Sequence, residues 1–174
     1  KRIVVLGGCS DLAEMREAVA LGLDVVVHAA EHVELLERLP ERRPVNAWLK
    51  LDSGMGRLGL HAGQFQEMLA RLMRLYAGPE HIVIMTHLAA ADDRADPSTQ
   101  AQLASLASVL GEWPGDVSVA NSAAILGWPD VLRPSAQLRY GGDNWVRPGL
   151  MLYGVSPLPG VSAAALGLRP AMSF

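Results

Sequence analysis

Cysteine is nearly absent from this chain of 174 residues, which contains only Cys9. A single cysteine excludes an intrachain disulfide and favours a reducing compartment, so we expect a cytoplasmic protein. Long apolar runs are absent too: none approaches the roughly 20 residues of a membrane-spanning helix, so no membrane partner is expected. The formal net charge is only −3, which argues against a nucleic-acid-binding protein, because such proteins carry a basic surface.

The motifs of several enzyme classes are missing as well. No Gly-x-Gly-x-x-Gly follows the first apolar segment, which weakens a dinucleotide-binding assignment, and no Gly-x-Ser-x-Gly offers a hydrolase nucleophile. His28 and His32 have the spacing of two ligands on one helical turn, but no third ligand accompanies them, so we predict no metal site. The 15 basic residues are thirteen arginines, Lys1 and Lys50. If a lysine of this chain acts covalently, it must therefore be Lys1 or Lys50.

Short, apolar, β-branched segments alternate with helical patterns along the chain. Strands are predicted over 2–8, 23–30, 46–52, 81–87, 116–121 and 144–154, and helices over 10–22, 31–39, 63–78, 96–113 and 122–127. Ser10 is predicted to cap the first helix, and Asp96 with Pro97 to begin the fourth. This alternation indicates a parallel α/β sheet covered on both faces, either an open doubly wound sheet or a (β/α)8 barrel. Six βα units are too few for a complete barrel of about 250 residues, so we expect part of a longer protein.

Polar residues follow four successive strands, at the end where parallel barrels collect their catalytic groups. They are Arg57 after the third strand, His87 at the end of the fourth, Asn121 and Ser122 after the fifth, and Arg147 in the sixth. Four of them also have a simpler explanation: His87 as an ordinary buried histidine, Ser122 as a helix cap, Arg57 in a surface salt bridge, and Arg147 as a solvated charge. Polar groups from four successive strands at one rim nevertheless predict a functional site.

The segment "WLKLDSGMGRLG" (48–59) places Lys50 inside an apolar strand and Arg57 on a glycine-rich loop. An unpaired buried ammonium is costly, so Lys50 is expected to be neutralised by a partner or a modification, or to extend its amine to the end of the barrel. The glycines indicate a sharply turned loop that presents Arg57.

Two later segments favour an anion site. "ANSAAIL" (120–126) offers the hydroxyl of Ser122 and backbone amides at a strand end, and "RPGLMLYG" (147–154) offers further amides with Gly149 allowing close approach. A phosphate suits both segments, and two arginines with a histidine suit a planar anionic group attached to it. The residues thus point to a phosphorylated aromatic cofactor without identifying it.

In order and spacing, the segments "WLKLDSGMGRLG", "THLAAADD", "VANSAAIL" and "NWVRPGLMLYGVSP" resemble the barrel motifs of the bacterial alanine racemase family. The resemblance covers essentially the whole chain, as strands three to eight of a TIM-type barrel in the N-terminal domain. It implies a homodimeric enzyme with shared active sites that uses pyridoxal 5'-phosphate and two bases to interconvert L- and D-alanine. The D-alanine would supply peptidoglycan.

The resemblance also implies a role for each site residue. Lys50 matches a lysine that is N-carboxylated in many members and holds the arginine matched by Arg57, which contacts the cofactor's phenolic oxygen and orients the substrate. His87 matches a histidine near the pyridine ring, and Arg147 the arginine that faces the ring nitrogen. The remaining cofactor-binding positions are Asn121 in the fifth-strand motif and the phosphate contacts Ser122, Gly149 and Leu150.

The sequence departs from the family pattern at both catalytic bases. The cofactor-bearing lysine belongs to a motif like Val-Lys-Ala-Asn-Ala-Tyr-Gly-His-Gly, which is missing here, and the opposing tyrosine belongs to a C-terminal β domain. Tyr153 lies in the eighth-strand motif and is not that tyrosine. We therefore expect no catalytic base in these 174 residues and no activity from them alone. A broad-specificity amino-acid racemase and a non-catalytic cofactor-binding barrel stay open as alternatives.

Overall fold

The computed structural model describes residues 1–40 and 45–172. Its helices are α1 (Leu12–Ala20), α2 (Ala30–Glu37), α3 (Ala62–Tyr76), α4 (Ser98–Leu110) and α5 (Ser122–Gly127). Its strands are β1 (Val4–Val5), β2 (Asp24–Val27), β3 (Ala47–Lys50), β4 (Ile82–Met85), β5 (Glu112–Trp113), β6 (Asp116–Ser118) and β7 (Arg139–Tyr140). Short 3-10 helices cover Pro129–Leu132, Leu150–Tyr153 and Ala164–Leu166.

Strand order separates the two architectures that the sequence left open. The main sheet has five strands in the order β1-β2-β3-β4-β6, and every neighbouring pair is parallel. A doubly wound sheet reverses its strand order at a switch point, whereas a barrel adds each strand beside the previous one. The order seen here is that of a barrel, and the predicted parallel α/β fold is confirmed.

The strands are apolar on both faces because both faces are covered. Val25 and Val27 of β2 belong to the large core cluster that packs under the helices, while Val26 between them belongs to a second cluster on the opposite face. Trp48, Val83 and Met85 complete the buried part of that second cluster. Within the described ranges, every helix is too short or too polar to cross a membrane.

Outside α5, the helix ends lie one to three residues from the predicted ones. Helix α4 begins at Ser98 with Pro97 in the cap position, so Asp96 is not its cap as predicted. Two further differences have a local cause. The cap of α1 is Asp11 rather than Ser10, because the Asp11 carboxylate accepts hydrogen bonds from the amides of Ala13 and Glu14 at 2.8 and 2.9 Å. Helix α4 ends at Leu110, three residues before the predicted end at 113, because Gly111 breaks the helix and the next two residues form β5. The pair β5 and β7 was not predicted, since two-residue strands carry no periodic signal.

The predicted strand over 144–154 is not a continuous strand. Asn144 and Arg147 form isolated parallel bridges with Val117 and Asn121, and the chain then turns into the 3-10 helix Leu150–Tyr153. Pro148 explains the break, because proline has no amide hydrogen to continue a ladder. The segment still lies beside β6, so it brings Arg147 to the same rim as the strand ends.

Candidate functional site

Two adjoining cavities open at the C-terminal ends of the strands. The larger, of about 620 Å3, is lined by Lys50, Arg57, His87, Arg147 and Gly149 among others. The smaller, of about 360 Å3, is lined by His87, Asn121, Ser122, Arg147, Gly149 and Leu150 among others. Every candidate residue thus lines at least one cavity, and three of them line both. A ligand with a ring in one cavity and an anionic group in the other would contact them all.

The loop that carries Arg57 is built around Asp52. One carboxylate oxygen of Asp52 accepts hydrogen bonds from the amides of Gly54 and Gly56, both at 3.0 Å. Its own amide donates to the carbonyl of Leu60 at 3.0 Å, so the loop closes on its starting point. Burial raises the pKa of Asp52, but the amides of Gly56 and Gly54 offset this effect and the net pKa is lowered. The glycines therefore shape a closed loop with Arg57 exposed at its far side.

Lys50 lies at the end of β3 with only 8% of its surface exposed. Its pKa is lowered, first by burial and then by the positive charges of Arg57 and Arg147, while Asp52 acts in the opposite direction. Within the described residues, no carboxylate lies within salt-bridge distance of its amine. The amine is therefore poised to lose its proton or to gain an anionic partner.

His87 follows β4 and is half-buried at the boundary of the two cavities. Burial lowers its pKa to about 4, and the charges of Arg147, Arg57 and Lys50 act in the same direction. The imidazole is consequently neutral at physiological pH. A neutral ring can lie against an uncharged aromatic ring without adding another cation beside Lys50, Arg57 and Arg147.

Arg147 is held almost entirely by neutral acceptors. Its guanidinium donates to the carbonyls of Thr86 and Val119, at 2.5 and 3.4 Å, and to the hydroxyl of Ser118. Burial lowers the pKa of Arg147 to about 10, which is far above neutral pH, so it stays charged. These contacts use only part of its N–H groups, which leaves others to donate to a ligand.

The smaller cavity brings together the end of β6 and the start of α5 with the segment after Arg147. Ser122, only 5% exposed, accepts hydrogen bonds at its hydroxyl oxygen from the amides of Gly149 and Met151, at 2.8 and 3.3 Å. The cap of α5 is Asn121, whose side-chain oxygen Oδ1 accepts a hydrogen bond from the Ala124 amide at 3.0 Å. Ser122 is therefore not the helix cap, and its hydroxyl proton is free to donate toward the cavity.

The two histidines set aside in the sequence lie together at the end of β2. The ring centroids of His28 and His32 are 4.4 Å apart, and the ring of His28 bonds the carbonyl of Gly7 at 3.0 Å. Among the described residues, no group of three His, Cys, Asp or Glu side chains is arranged to hold a metal ion. The pair packs against the loop that contains Gly7, and neither histidine lines the two cavities.

Several polar side chains that support the site were not predicted from the sequence. Ser53, Thr86, Gln102 and Ser118 are buried and hydrogen-bonded behind the rim. A serine or glutamine inside an amphipathic pattern looks the same whether it faces solvent or a buried partner. Only Ser53 had a sequence signal, because it lies in the glycine-rich loop segment.

Comparisons with known proteins agree with the fold. The family described as "Alanine racemase, N-terminal domain" matches residues 1–157. The alanine racemase of Halorhodospira halophila is 41% identical over 174 residues, and the biosynthetic alanine racemase of Pseudomonas aeruginosa is 42% identical over 173. These matches cover 100% and 99% of this chain but 45% of each relative, so the chain spans less than half of their length.

Solved structures give the same result. The crystal structure of biosynthetic alanine racemase from Pseudomonas aeruginosa superimposes with a TM-score of 0.81 at 38% identity, over 98% of this chain and 45% of that one. Alanine racemase from Bartonella henselae, described as having covalently bound pyridoxal phosphate, superimposes with a TM-score of 0.69 at 26% identity. That match covers 90% of this chain and 43% of the Bartonella chain. The barrel-type fold expected from the sequence is thereby confirmed.

Proposed function

Because this chain belongs to the alanine racemase family, we propose that the protein containing it interconverts L- and D-alanine with pyridoxal 5'-phosphate. The observation that carries the proposal is the convergence of Lys50, Arg57, His87 and Arg147 on a cavity that adjoins the Ser122 cavity. Arg57, His87 and Arg147 match positions that the family motifs assign to the cofactor, and Lys50 matches the lysine that holds the arginine. The 174 residues would form the larger part of an N-terminal barrel domain.

The chemistry of the two cavities fits this cofactor. The larger cavity is lined by Lys50 and by three arginines, Arg2, Arg57 and Arg147, and their positive charge suits a ligand with negative charge. The smaller cavity presents the free hydroxyl proton of Ser122 beside the backbone of Gly149 and Leu150, which suits the three acceptor oxygens of a phosphate. His87 and Arg147, which line both cavities, would then contact the ring between these two ends.

Arg57, His87 and Arg147 have separate roles in this proposal. When bound, pyridoxal phosphate withdraws electrons from the α-carbon of an amino acid and makes its hydrogen acidic. Arg147 would donate an N–H group to the ring nitrogen, and because arginine keeps its proton, the nitrogen would receive none. Arg57 would bind the phenolic oxygen and orient the substrate carboxylate, whose negative charge it matches. Neutral His87 would lie against the ring and help to exclude water.

Lys50 is proposed to be N-carboxylated. Its lowered pKa increases the unprotonated fraction of the amine relative to an ordinary lysine. The unprotonated amine attacks carbon dioxide: a nitrogen–carbon bond forms, one C=O π bond opens so that its electrons go to oxygen, and a proton leaves the nitrogen. The product is a carbamate anion next to Arg57 and Arg147. The carbamate pairs with the guanidinium groups as a carboxylate would, whereas a protonated Lys50 would be repelled by them.

The two bases of the reaction would come from outside this chain, one on each face of the α-carbon. One removes the α-proton and the other returns a proton from the opposite side. The family resemblance assigns them to a lysine on an earlier strand and to a tyrosine from a partner subunit, so the active protein would be a homodimer. A cytoplasmic location and a role in supplying D-alanine for peptidoglycan belong to the same proposal.

The test is conversion of L-alanine to D-alanine by the full-length protein, followed by chiral chromatography with and without added pyridoxal phosphate. Cofactor-dependent conversion of alanine, well above that of other amino acids, is the expected result. Comparable conversion of several amino acids would favour a broad-specificity racemase instead. Cofactor binding without any conversion would identify a non-catalytic binding protein. Residues 1–174 alone should show no conversion in the same assay.

A further inference from the structure

Gln102 is a buried amide in the middle of an apolar helix face. It lies on α4 with only 2% of its surface exposed, between the buried side chains of Thr99, Leu103 and Leu106. Burying an amide costs free energy unless its donors and acceptor are all hydrogen-bonded. A leucine or methionine would fill this position at less cost, so the contacts of Gln102 call for an explanation.

The contacts of Gln102 join the two segments that carry Arg57 and His87. Its Nε2 group donates to the carbonyl of His87 at 2.9 Å and to the hydroxyl of Ser53 at 3.1 Å. Its Oε1 atom accepts from the amide of Ala89 at 2.8 Å. The orientation of the amide follows from its partners, because the amide of Ala89 can only donate and the carbonyl of His87 can only accept.

A directed chain of hydroxyl groups extends these contacts. The Thr86 hydroxyl donates to the carbonyl of Leu51 at 3.0 Å, so at its other side it accepts from Ser53, 2.7 Å away. Ser53 in turn accepts from Gln102. The carbonyl of Thr86 also accepts from the guanidinium of Arg147. One buried network therefore connects the Arg57 loop, the end of β4 and Arg147.

We propose that Gln102 is a positioning residue, which fixes the loop bearing Arg57 against the backbone of His87. It touches neither cavity and acts only through Ser53, His87 and Ala89. The effect on catalysis rests on the proposed function, because it requires that Arg57 and His87 bind cofactor and substrate. The effect on the loop does not rest on it.

The main variant is Gln102→Met, which keeps the volume and removes all three hydrogen bonds. Ser53→Ala is the second variant, because it removes the shared hydroxyl from the other end and leaves α4 intact. The matched control is Leu106→Ala, one turn along the same buried face, which weakens packing without touching the network. All are made in the full-length protein.

Two measurements separate positioning from general stability. The first is amide hydrogen exchange over 52–60 and 86–89, which needs no activity. The second is the kcat for alanine together with the affinity for pyridoxal phosphate. We expect both network variants to exchange faster over these ranges and to lose about 10- to 100-fold in kcat, because a shift of about 1 Å in a reacting group can cost this much. Cofactor affinity should fall less than kcat, since Arg57 and His87 are displaced but the Ser122 segment, which is proposed to bind the phosphate, makes no contact with Gln102.

The outcomes are distinct for the two proposals. If Gln102→Met and Ser53→Ala change exchange and kcat no more than Leu106→Ala does, Gln102 serves packing alone and the positioning role is wrong. If the wild-type protein does not racemise alanine, the proposed function fails, and hydrogen exchange alone decides whether Gln102 holds the loop. Should Gln102→Met fail to fold, Ser53→Ala answers the same question.

Discussion

The hydroxyl oxygen of Ser122 accepts a hydrogen bond from the amide of Gly149 at 2.8 Å, across a separation of 27 residues. This contact joins the start of α5 to the segment that follows Arg147. It also orients the hydroxyl so that its proton points away from both amides. The two predicted anion-binding segments therefore form a single wall of the smaller cavity.

The first prediction concerns that wall. Ser122→Ala should weaken pyridoxal phosphate binding by about 10- to 100-fold, because a hydrogen bond to a charged group is worth about 1.5–3 kcal/mol. Binding of pyridoxal, which lacks the phosphate, should change little. Titration of both ligands by fluorescence quenching gives the comparison. Ser108→Ala, on the exposed side of α4, is the control. Equal losses for both ligands would mean that Ser122 does not serve the phosphate.

The second prediction concerns the modification of Lys50. After incubation with 13C-labelled bicarbonate, the protein should show a carbamate carbon signal by NMR that is missing from Lys50→Gln. The reason is that the lowered pKa of Lys50 favours the unprotonated amine that reacts, and the neighbouring arginines stabilise the resulting anion. Lys1→Gln, which changes the other lysine of this sequence, should keep the signal. Identical spectra for wild type and Lys50→Gln would show that Lys50 carries no carbamate.

The third prediction concerns pH. The pKa of His87 lies at about 4 in the folded protein, below its ordinary value of 6.5, so between these values the unfolded chain binds a proton that the folded chain does not. The contribution of His87 to stability is therefore complete above pH 6.5 and decreases as the pH falls toward 4. We expect a loss on the order of 2 kcal/mol, allowing for partial exposure.

Urea unfolding at a series of pH values checks this prediction. The pH dependence should be smaller in His87→Gln than in the wild type. Burial also lowers the pKa of His32, which therefore contributes to the pH dependence of stability in the same direction. The contribution of His87 is the difference between the wild-type and His87→Gln curves of stability against pH. Parallel curves for the two proteins would show that His87 titrates normally.

The fourth prediction concerns the closed loop around Asp52. A Cβ atom on Gly59 would overlap the backbone nitrogen of Asp52, and the φ angle of Gly59 is +139°, which disfavours any other residue. Gly59→Ala should lower the free energy of unfolding by about 2–3 kcal/mol and displace Arg57. Gly63→Ala is the matched control, since it lies near the start of α3 with open space around it and should raise stability by up to about 1 kcal/mol. Urea unfolding measures both, and similar values would contradict the loop geometry.

Some elements were predictable because local residues decide them. Helix α5 occupies 122–127 as predicted, and the segments around β2, β3 and β4 are apolar and β-branched enough to be recognised alone. The cap of α1 was misassigned because Ser10 and Asp11 are adjacent and both residue types cap helices. Pro148 could have indicated that the last segment would not continue as a strand.

The sequence by itself determined the alternation of strands and helices, the rim on which the polar residues lie and the family motifs that they form. These depend on periodicity and on short spacings, which the order of residues contains. Only the tertiary structure decided that Lys50 is surrounded by Arg57 and Arg147, that His87 has a pKa of about 4, and that Gln102 holds two site segments together. Those properties arise from burial and from contacts between residues far apart in the chain, and they exist only once the sheet has formed.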